Sequence, residues 1–444
     1  MLSPAVLSEA GMGLCILFIL LVPLAAAGLS LINTGLGRAR SAAYAMLSAL
    51  CVIALAAAVY FLVGFAIEGY AGRPAHVINI AGRPWSWIGA EKFFLRGVYS
   101  DVSPASLAAL LQIFAVGLAA LIPLGSGADR WRLAGISAST ALMAGLIYPL
   151  FGHWVWGGGW LAQLGANYHL GRGLVDAGGA GTIQTVGGLA ALAITWILGP
   201  RRGKYTPGGM PAAIPGHNSV LVLFGCLLAL LGWIGLNSSG AILFAGVAPL
   251  GAVVIALNTT VAASASALAA LLITRVRFGK PDASLVANGW VGGLVASSAP
   301  CAFISPASAL VIGLVAGVLV TFSVQWLELI EVDDPAGAVS VHGLGGLWSL
   351  LSVGIFAELP PLAAGGSSVP GAVNSSGQWL AQLVGVGTLL GFVLPLIYGL
   401  FLLLDRALPQ RVNAEGERQG MDLNELGAGA YPEFAVYSDE FSPH

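Results

Sequence analysis

The chain has 444 residues, 57% hydrophobic and 9% charged, with a formal net charge of −2 and a mean hydropathy of +0.88. Soluble domains carry roughly 25% charged residues, so this composition excludes an ordinary soluble enzyme and points to a polytopic membrane protein. A net charge this small provides no field for gathering nucleic acid or acidic substrates.

A helix needs about 20 apolar residues to cross the hydrocarbon core. In chain order such runs fall at 9–33, 42–66, 105–125, 132–152, 180–199, 217–237, 241–274, 282–300, 304–328, 339–357 and 377–404. Nothing basic precedes the first run, which is therefore expected to be a retained span, with a cleaved leader as the lesser alternative. The loop from Glu68 to Pro104 contains PWSWIGAEKFFLR, whose rings and cations suit a short helix at headgroup level. The run at 241–274 is long but uninterrupted by charge and is expected to form one tilted helix. The tail from 405 to 444 is polar and acidic, and is expected either to be disordered or to dock on the cytoplasmic face.

Arg38, Arg40, Arg130, Arg132, Arg201, Arg202, Lys204, Arg275, Arg277, Lys280, Arg406, Arg411 and Arg418 fall on one side of these spans. Arg73, Arg83, Lys92, Arg96 and Arg172 fall on the other. The positive-inside rule then places the N-terminus outside and the C-terminus in the cytoplasm of a plasma (inner) membrane protein. The four cysteines, Cys15, Cys51, Cys226 and Cys301, show no metal or redox spacing and read as small hydrophobes. GxxxG pairs at Gly313 and Gly317 and at Gly387 and Gly391 fit close helix packing, although such pairs also arise by chance in a glycine-rich chain.

The stretch VDAGGAGTIQTVGGLAAL, from Val175 to Leu192, returns downstream as DPAGAVSVHGLGGLWSL, from Asp334 to Leu350. Asp176 falls on Asp334, Gly187 and Gly188 on Gly345 and Gly346, and Gln184 on His342. The repeat divides the spans into two sets of five, about 9–199 and 217–357, with the eleventh helix at 377–404. An odd number of spans per half forces the second half to insert upside down, the arrangement of transporters whose site lies between the halves. The expected fold is thus an all-α membrane domain over 1–404 with an inverted 5+5 repeat, one added helix and a C-terminal tail.

His342 is an ionisable group deep in a predicted span, a functional position by default. A buried imidazole bonded to a neighbouring helix is the plainer reading. Gln184, if it faces His342, keeps a hydrogen bond but has no accessible protonation step. Asp176 and Asp334 stand where they can cap helices, and Asp176 can also draw a cation to the outer mouth. Trp154, Trp156 and Trp160 are expected near the outer surface, two as aromatic belt and one able to hold a small cation over its ring.

Taken together, HWVWGGGW, the stretch from Asp176 to Gln184, GWIGLNSSG, DDPAGAVSVHGLGG and GMDLNELGAGAY resemble the ammonium transporter (Amt) family, kin to the Rhesus glycoproteins. The resemblance covers nearly the whole chain and implies a homotrimer of eleven-helix subunits, each with its own pore, and no cofactor. By that likeness Trp156 and Asp176 belong to the outer ammonium site and Phe114 to the outer gate. Trp233 lines the pore, and His342 is the second of two pore histidines. The sequence departs from the family pattern at Gln184, in place of the first histidine, at Leu236, in place of a gate phenylalanine, and at Gly240, in place of a serine. Ala177, Gly178 and Ala180 depart as well.

The family mechanism implied by the resemblance strips a proton from ammonium outside and passes ammonia inward. Losing the ring at Leu236 and the hydroxyl at Gly240 is expected to weaken the outer site by about 1–3 kcal/mol. The expected function is ammonium or ammonia transport with altered proton coupling or selectivity. An ammonium-binding sensor without turnover and a pore for another small neutral solute are the alternatives. A PII-type signalling protein is the partner the likeness implies for the cytoplasmic face.

Overall fold

A computed structural model describes residues 7–70, 76–100, 102–359 and 377–431. Among the described residues, ten helices are long and apolar enough to cross a membrane: α1 Glu9–Leu36, α2 Ala39–Glu68, α3 Pro104–Ser126, α4 Leu133–Tyr168, α5 Ala180–Leu198, α6 Ser219–Phe244, α7 Pro249–Phe278, α9 Pro306–Leu329, α10 Val339–Phe356 and α11 Gln378–Ala407. Between α7 and α9 lies the shorter α8, Ala283–Ser298, of 16 residues. It occupies the eighth expected span, so the fold is a mostly helical membrane domain whose helices are roughly consistent with the expected eleven.

Local sequence starts these helices. The Ser8 hydroxyl accepts from Gly11 N at 3.2 Å to open α1. Ser103 and Ser106 form a reciprocal capping box ahead of α3, with Pro104 where no backbone donor is needed. Asn218 and Asp282 cap α6 and α8. The expected helix at 241–274 is corrected: α6 runs on to Phe244, and the chain breaks before α7. Gly246 there takes φ +68°, and Pro249 cannot continue a helix by donating its nitrogen.

The expected headgroup helix is also corrected. β1 His76–Ile80 and β2 Arg83–Ile88 pair as an antiparallel hairpin. Its two connecting residues, Ala81 and Gly82, both have positive φ, 52° and 74°, the backbone that suits the twist of a two-residue hairpin. Trp85 turns inward, and Trp154 donates its indole N–H to Trp87 O at 3.0 Å. Trp154 is therefore core under the hairpin rather than belt.

The two halves run in opposite directions. Helix α1 ends, and α6 begins, on one face, where Asn218 N donates to Gly35 O at 3.1 Å. That face also carries the tail, and the opposite one carries the hairpin. Along the α1–α6 crossing a β-carbon on Gly28 would lie 2.5 Å from Gly225 O, and one on Gly232 would overlap Ala25 N. Glycine lets the two backbones touch, which is how helices associate where lipid removes the hydrophobic incentive. Gly313 and Gly317 press likewise on Ala262 O and Ser266 O of α7, whereas Gly387 and Gly391 face open space.

On the tail face the chain after α11 docks rather than straying. Arg411 donates to Leu198 O at 2.6 Å and Val412 N to Arg130 O at 2.9 Å, and a short helix, α12 Ala414–Gln419, follows. Asp422 then accepts from Tyr44 N at 2.8 Å and from Ala43 N at 3.3 Å, capping α2 from a distant part of the chain. Residues 432–444, the rest of the expected tail, lie outside the described residues.

Beneath this docked segment the buried Asp333 carboxylate accepts from Arg201 Nε and Nη2, both at 2.9 Å. Arg201 also reaches Asp129 at 3.3 Å, and Arg130 donates to Asp333 O at 2.9 Å. Burial alone would push the Asp333 carboxyl up, but Arg201 and then Arg130 hold it below its ordinary value. The stability it confers is therefore complete above the ordinary carboxylate range and is lost as pH falls towards the depressed native value. Asp333→Asn leaves buried Arg130 without its ion-pair partner and Arg201 with Asp129 alone, and is expected to cost about 3–5 kcal/mol. A thermal melt of the purified protein should show a large fall in midpoint, and that difference from wild type should shrink as the buffer is acidified.

Candidate functional site

Two helices that start at opposite faces meet at the centre. Helix α5 opens with a π-helical turn, Ala180–Thr185, and α10 opens with another, Val339–Leu344. Asp176 Oδ2 caps the first, accepting from Gly181 N at 3.0 Å and from Thr182 N at 2.9 Å. Asp334 Oδ2 caps the second, accepting from Val339 N at 2.7 Å, while its Oδ1 accepts from Ser126 at 2.7 Å. Burial pushes both carboxyl groups up from their ordinary value, and these hydrogen bonds oppose the shift.

The crossing itself depends on glycine. A β-carbon on Gly188 would overlap the backbone of Gly343, and one on Gly346 would overlap the Thr185 hydroxyl. This contact brings the Gln184 and His342 side chains together: Gln184 Oε1 lies 2.8 Å from His342 Nδ1, and both residues are buried. Read with the amide oxygen towards the ring, the contact makes Nδ1 the donor, which leaves Nε2 unprotonated in the neutral imidazole. Gln184 Nε2 is buried without a hydrogen-bond partner.

Trp233, fully buried, stands with its ring centroid 6.4 Å from that of His342 and donates to Ser298 Oγ at 3.2 Å. Leu236 lies in the core one turn further along α6. Towards the hairpin face, Trp156 donates its indole N–H to the backbone oxygen of Asp176 at 2.8 Å. The carboxylate of Asp176 is thus engaged with α5, and only its Oδ1 lacks a partner. The ring stacked on Trp156 is Phe244, at 4.4 Å and 9°, not Phe114. Phe114 is partly buried against the core. Tyr70 meets Phe244 edge-on at 6.1 Å.

Gly240 touches the loop that follows Asp176. A β-carbon there would lie 2.5 Å from Ala177 O, and one on Gly178 would overlap Asn237 Oδ1. Ala177 N and Gly178 N donate to Ala299 O and Ser298 O, at 3.3 and 2.9 Å, tying the loop to the end of α8. Ala177, Gly178 and Gly240 are therefore parts of one contact.

Sequence reasoning missed several of these positions. Phe244 falls within the expected 241–274 run but in fact ends α6, and Ser298 reads as an unremarkable hydroxyl near a helix end. Gln378 and Gln382 were also passed over. They are polar residues four apart in an apolar run, and Gln382 clamps the backbone of Val175 from both sides, at 2.9 and 3.0 Å. Such a pair was the available signal. Another omission was His153, just past its predicted span, which is buried between Glu68 O at 2.6 Å and Ser86 Oγ at 3.0 Å. Among the described residues, no group of three His, Cys, Asp or Glu side chains is arranged to hold a metal.

A model of the Ammonium Transporter Family matches residues 13–431. The chain is 36% identical over 424 residues to the ammonium transporter Amt2 of Archaeoglobus fulgidus, across 93% of this chain and 86% of that protein. It is 30% identical over 414 residues to an ammonium transporter of Bacillus subtilis, across 93% and 96%. Its fold is similar to a solved structure described as a sensor Amt protein, with a TM-score of 0.82, 28% identity, and coverage of 94% and 98%.

Because Gly188 rests on the Gly343 backbone, Gly188→Ala should force α5 and α10 apart, at a cost of about 1–3 kcal/mol in overpacking. Gly391→Ala, on open surface, is the matched control. Melting midpoints and ammonium uptake in vesicles should both fall for the first variant and stay at wild-type values for the second.

Proposed function

The chain belongs to the Ammonium Transporter Family and transports ammonium, and we propose that it does so with the proton relay interrupted at Gln184. The observation that carries this reading is the 2.8 Å contact between Gln184 Oε1 and His342 Nδ1. A pair of imidazoles can pass a proton between them, since each ring nitrogen can donate or accept. An amide facing His342 fixes one tautomer and offers no titrating nitrogen.

Moving ammonium through a low-dielectric core is expensive, whereas ammonia needs only a few hydrogen bonds. In our reading the unpartnered Gln184 Nε2 donates to the ammonia lone pair, and the bare His342 Nε2 accepts an ammonia N–H. Ammonia then satisfies both pore groups, whereas ammonium, which can donate to His342 Nε2 but has no lone pair, leaves the Gln184 donor unpaired. Trp156 receives the cation before deprotonation on the ring face that Phe244 leaves free, with Phe114, Asp176 and Gly240 shaping the mouth. Trp233 and Leu236 wall the pore. The proton is released to the outer solution and stays there, and neutral flux follows.

A second reading, ammonium sensing without turnover, is favoured by the likeness to the structure described as a sensor Amt protein. We further propose a homotrimer with its N-termini outside, its tails in the cytoplasm of the plasma membrane, and a PII-type protein meeting the tail face. The exposed apolar side chains along α6 and α7, such as Leu227 and Leu272, suit either lipid or neighbouring subunits.

The test is a pair of recordings on protein reconstituted in liposomes, with an ammonium jump applied to wild type and to Gln184→His. Wild type is expected to alkalinise the lumen without current, and the histidine variant to gain current. A substantial wild-type current would falsify the interrupted relay. Saturable binding with no flux in wild type would favour the sensor.

A further inference from the structure

On the tail face, the docked α12 leaves a cleft of about 530 Å³ between itself and the membrane domain. Arg38 enters it from the connection after α1, Arg40 from the first turn of α2, Arg202 from the connection after α5 and Arg418 from α12, with Glu415 and Glu417 beside them. Four guanidinium groups thus converge on two carboxylates, an excess of two positive charges (4 − 2).

Neither carboxylate is free to balance the rest. Glu417 is buried and accepts from Arg202 N at 2.6 Å and from Arg411 Nη2 at 2.8 Å. Its backbone oxygen takes Arg40 Nη2 at 3.2 Å. Glu415 is taken up by Arg418, at 2.8 Å. On Arg38, Nε stands 4.0 Å from an Asp129 carboxylate that Arg201 approaches to 3.3 Å. The side chains of Arg202 and Arg418 remain 61% and 77% exposed, so their forks have donors to spare.

Like charges held together by the fold repel one another until an anion joins them, and the planar fork of arginine fits phosphate oxygens two at a time. The cleft is concave and has the volume of a small-molecule site, large enough for several phosphate groups. We propose that this cleft binds a ligand carrying two or more phosphate groups, which bridges the tail to the membrane domain. The body supplies Arg38, Arg40 and Arg202 and the tail supplies Arg418, so the ligand fastens one to the other. The same chemistry occurs in soluble polyphosphates and in phosphorylated lipid headgroups, and the connection after α1 lies at a membrane helix end, within reach of either.

Titration calorimetry on the purified full chain at low ionic strength separates the two sources. The probes are sodium tripolyphosphate and a water-soluble short-chain phosphatidylinositol bisphosphate. Binding of either supports the cleft, and the one that binds more tightly identifies the source. The double variant Arg202→Gln with Arg418→Gln should weaken binding about tenfold or more, as expected when charge-assisted hydrogen bonds are lost. Arg275→Gln with Lys280→Gln, exposed cations of the same face outside the cleft, should leave it unchanged. Added salt should weaken wild-type binding, and the ligand should slow proteolysis of the tail. The proposal is overturned if neither probe binds, if the cleft variant binds as tightly as wild type, or if the control variant loses as much.

Discussion

The central constraint is the backbone contact between α5 and α10. Two helices inserted from opposite faces can place polar side chains against each other at mid-depth only if their axes come closer than ordinary side chains permit. Gly188 against Gly343, and Gly346 against Thr185, provide that approach. The caps on Asp176 and Asp334 then fix where each helix begins, so the depth of Gln184 and His342 follows from two carboxylates and a few glycines. Each cap also satisfies backbone donors that no water could reach within the bilayer.

A second layer of polar structure supports the first from the tail face. Arg201, Arg130, Asp129 and Asp333 gather the connections after α3, α5 and α9 around one buried network. The tail lies over it, with Arg411 on the last carbonyls of α5 and Asp422 on the first amides of α2. Asp334, the cap of α10, follows Asp333 directly, so the tail network and the start of a pore helix share adjacent residues. Displacement of the tail is therefore mechanically close to the pore although remote from it in sequence.

Much of this was legible in the sequence because bilayers demand long apolar runs and the internal repeat aligns Gln184 with His342. The eleven spans and the pairing of α5 with α10 came from those two patterns. Other features escaped for identifiable reasons. The hairpin at 76–88 was hidden because aromatic and cationic residues suit a headgroup helix as well as a strand, and the deciding signal was the short Ala81–Gly82 turn. The stacking of Phe244 on Trp156 depends on a span end that hydropathy blurs. Asp333 was overlooked beside Asp334 because a repeat reports what two segments share, and Asp333 has a valine, Val175, as its counterpart.

The contact between Gly240 and the carbonyl of Ala177 bears on how such a site evolves. A side chain at 240 and the present course of the 177–178 loop exclude each other, and Gly178 is confined in the same way by Asn237. Substitutions at these positions are therefore epistatic, because the fitness of one depends on whether the other has already changed. A chain that has settled the loop onto Gly240 therefore meets a barrier to acquiring a hydroxyl there by single steps. The route to one passes through a strained intermediate or through a coordinated change, so the order of mutations matters at this contact.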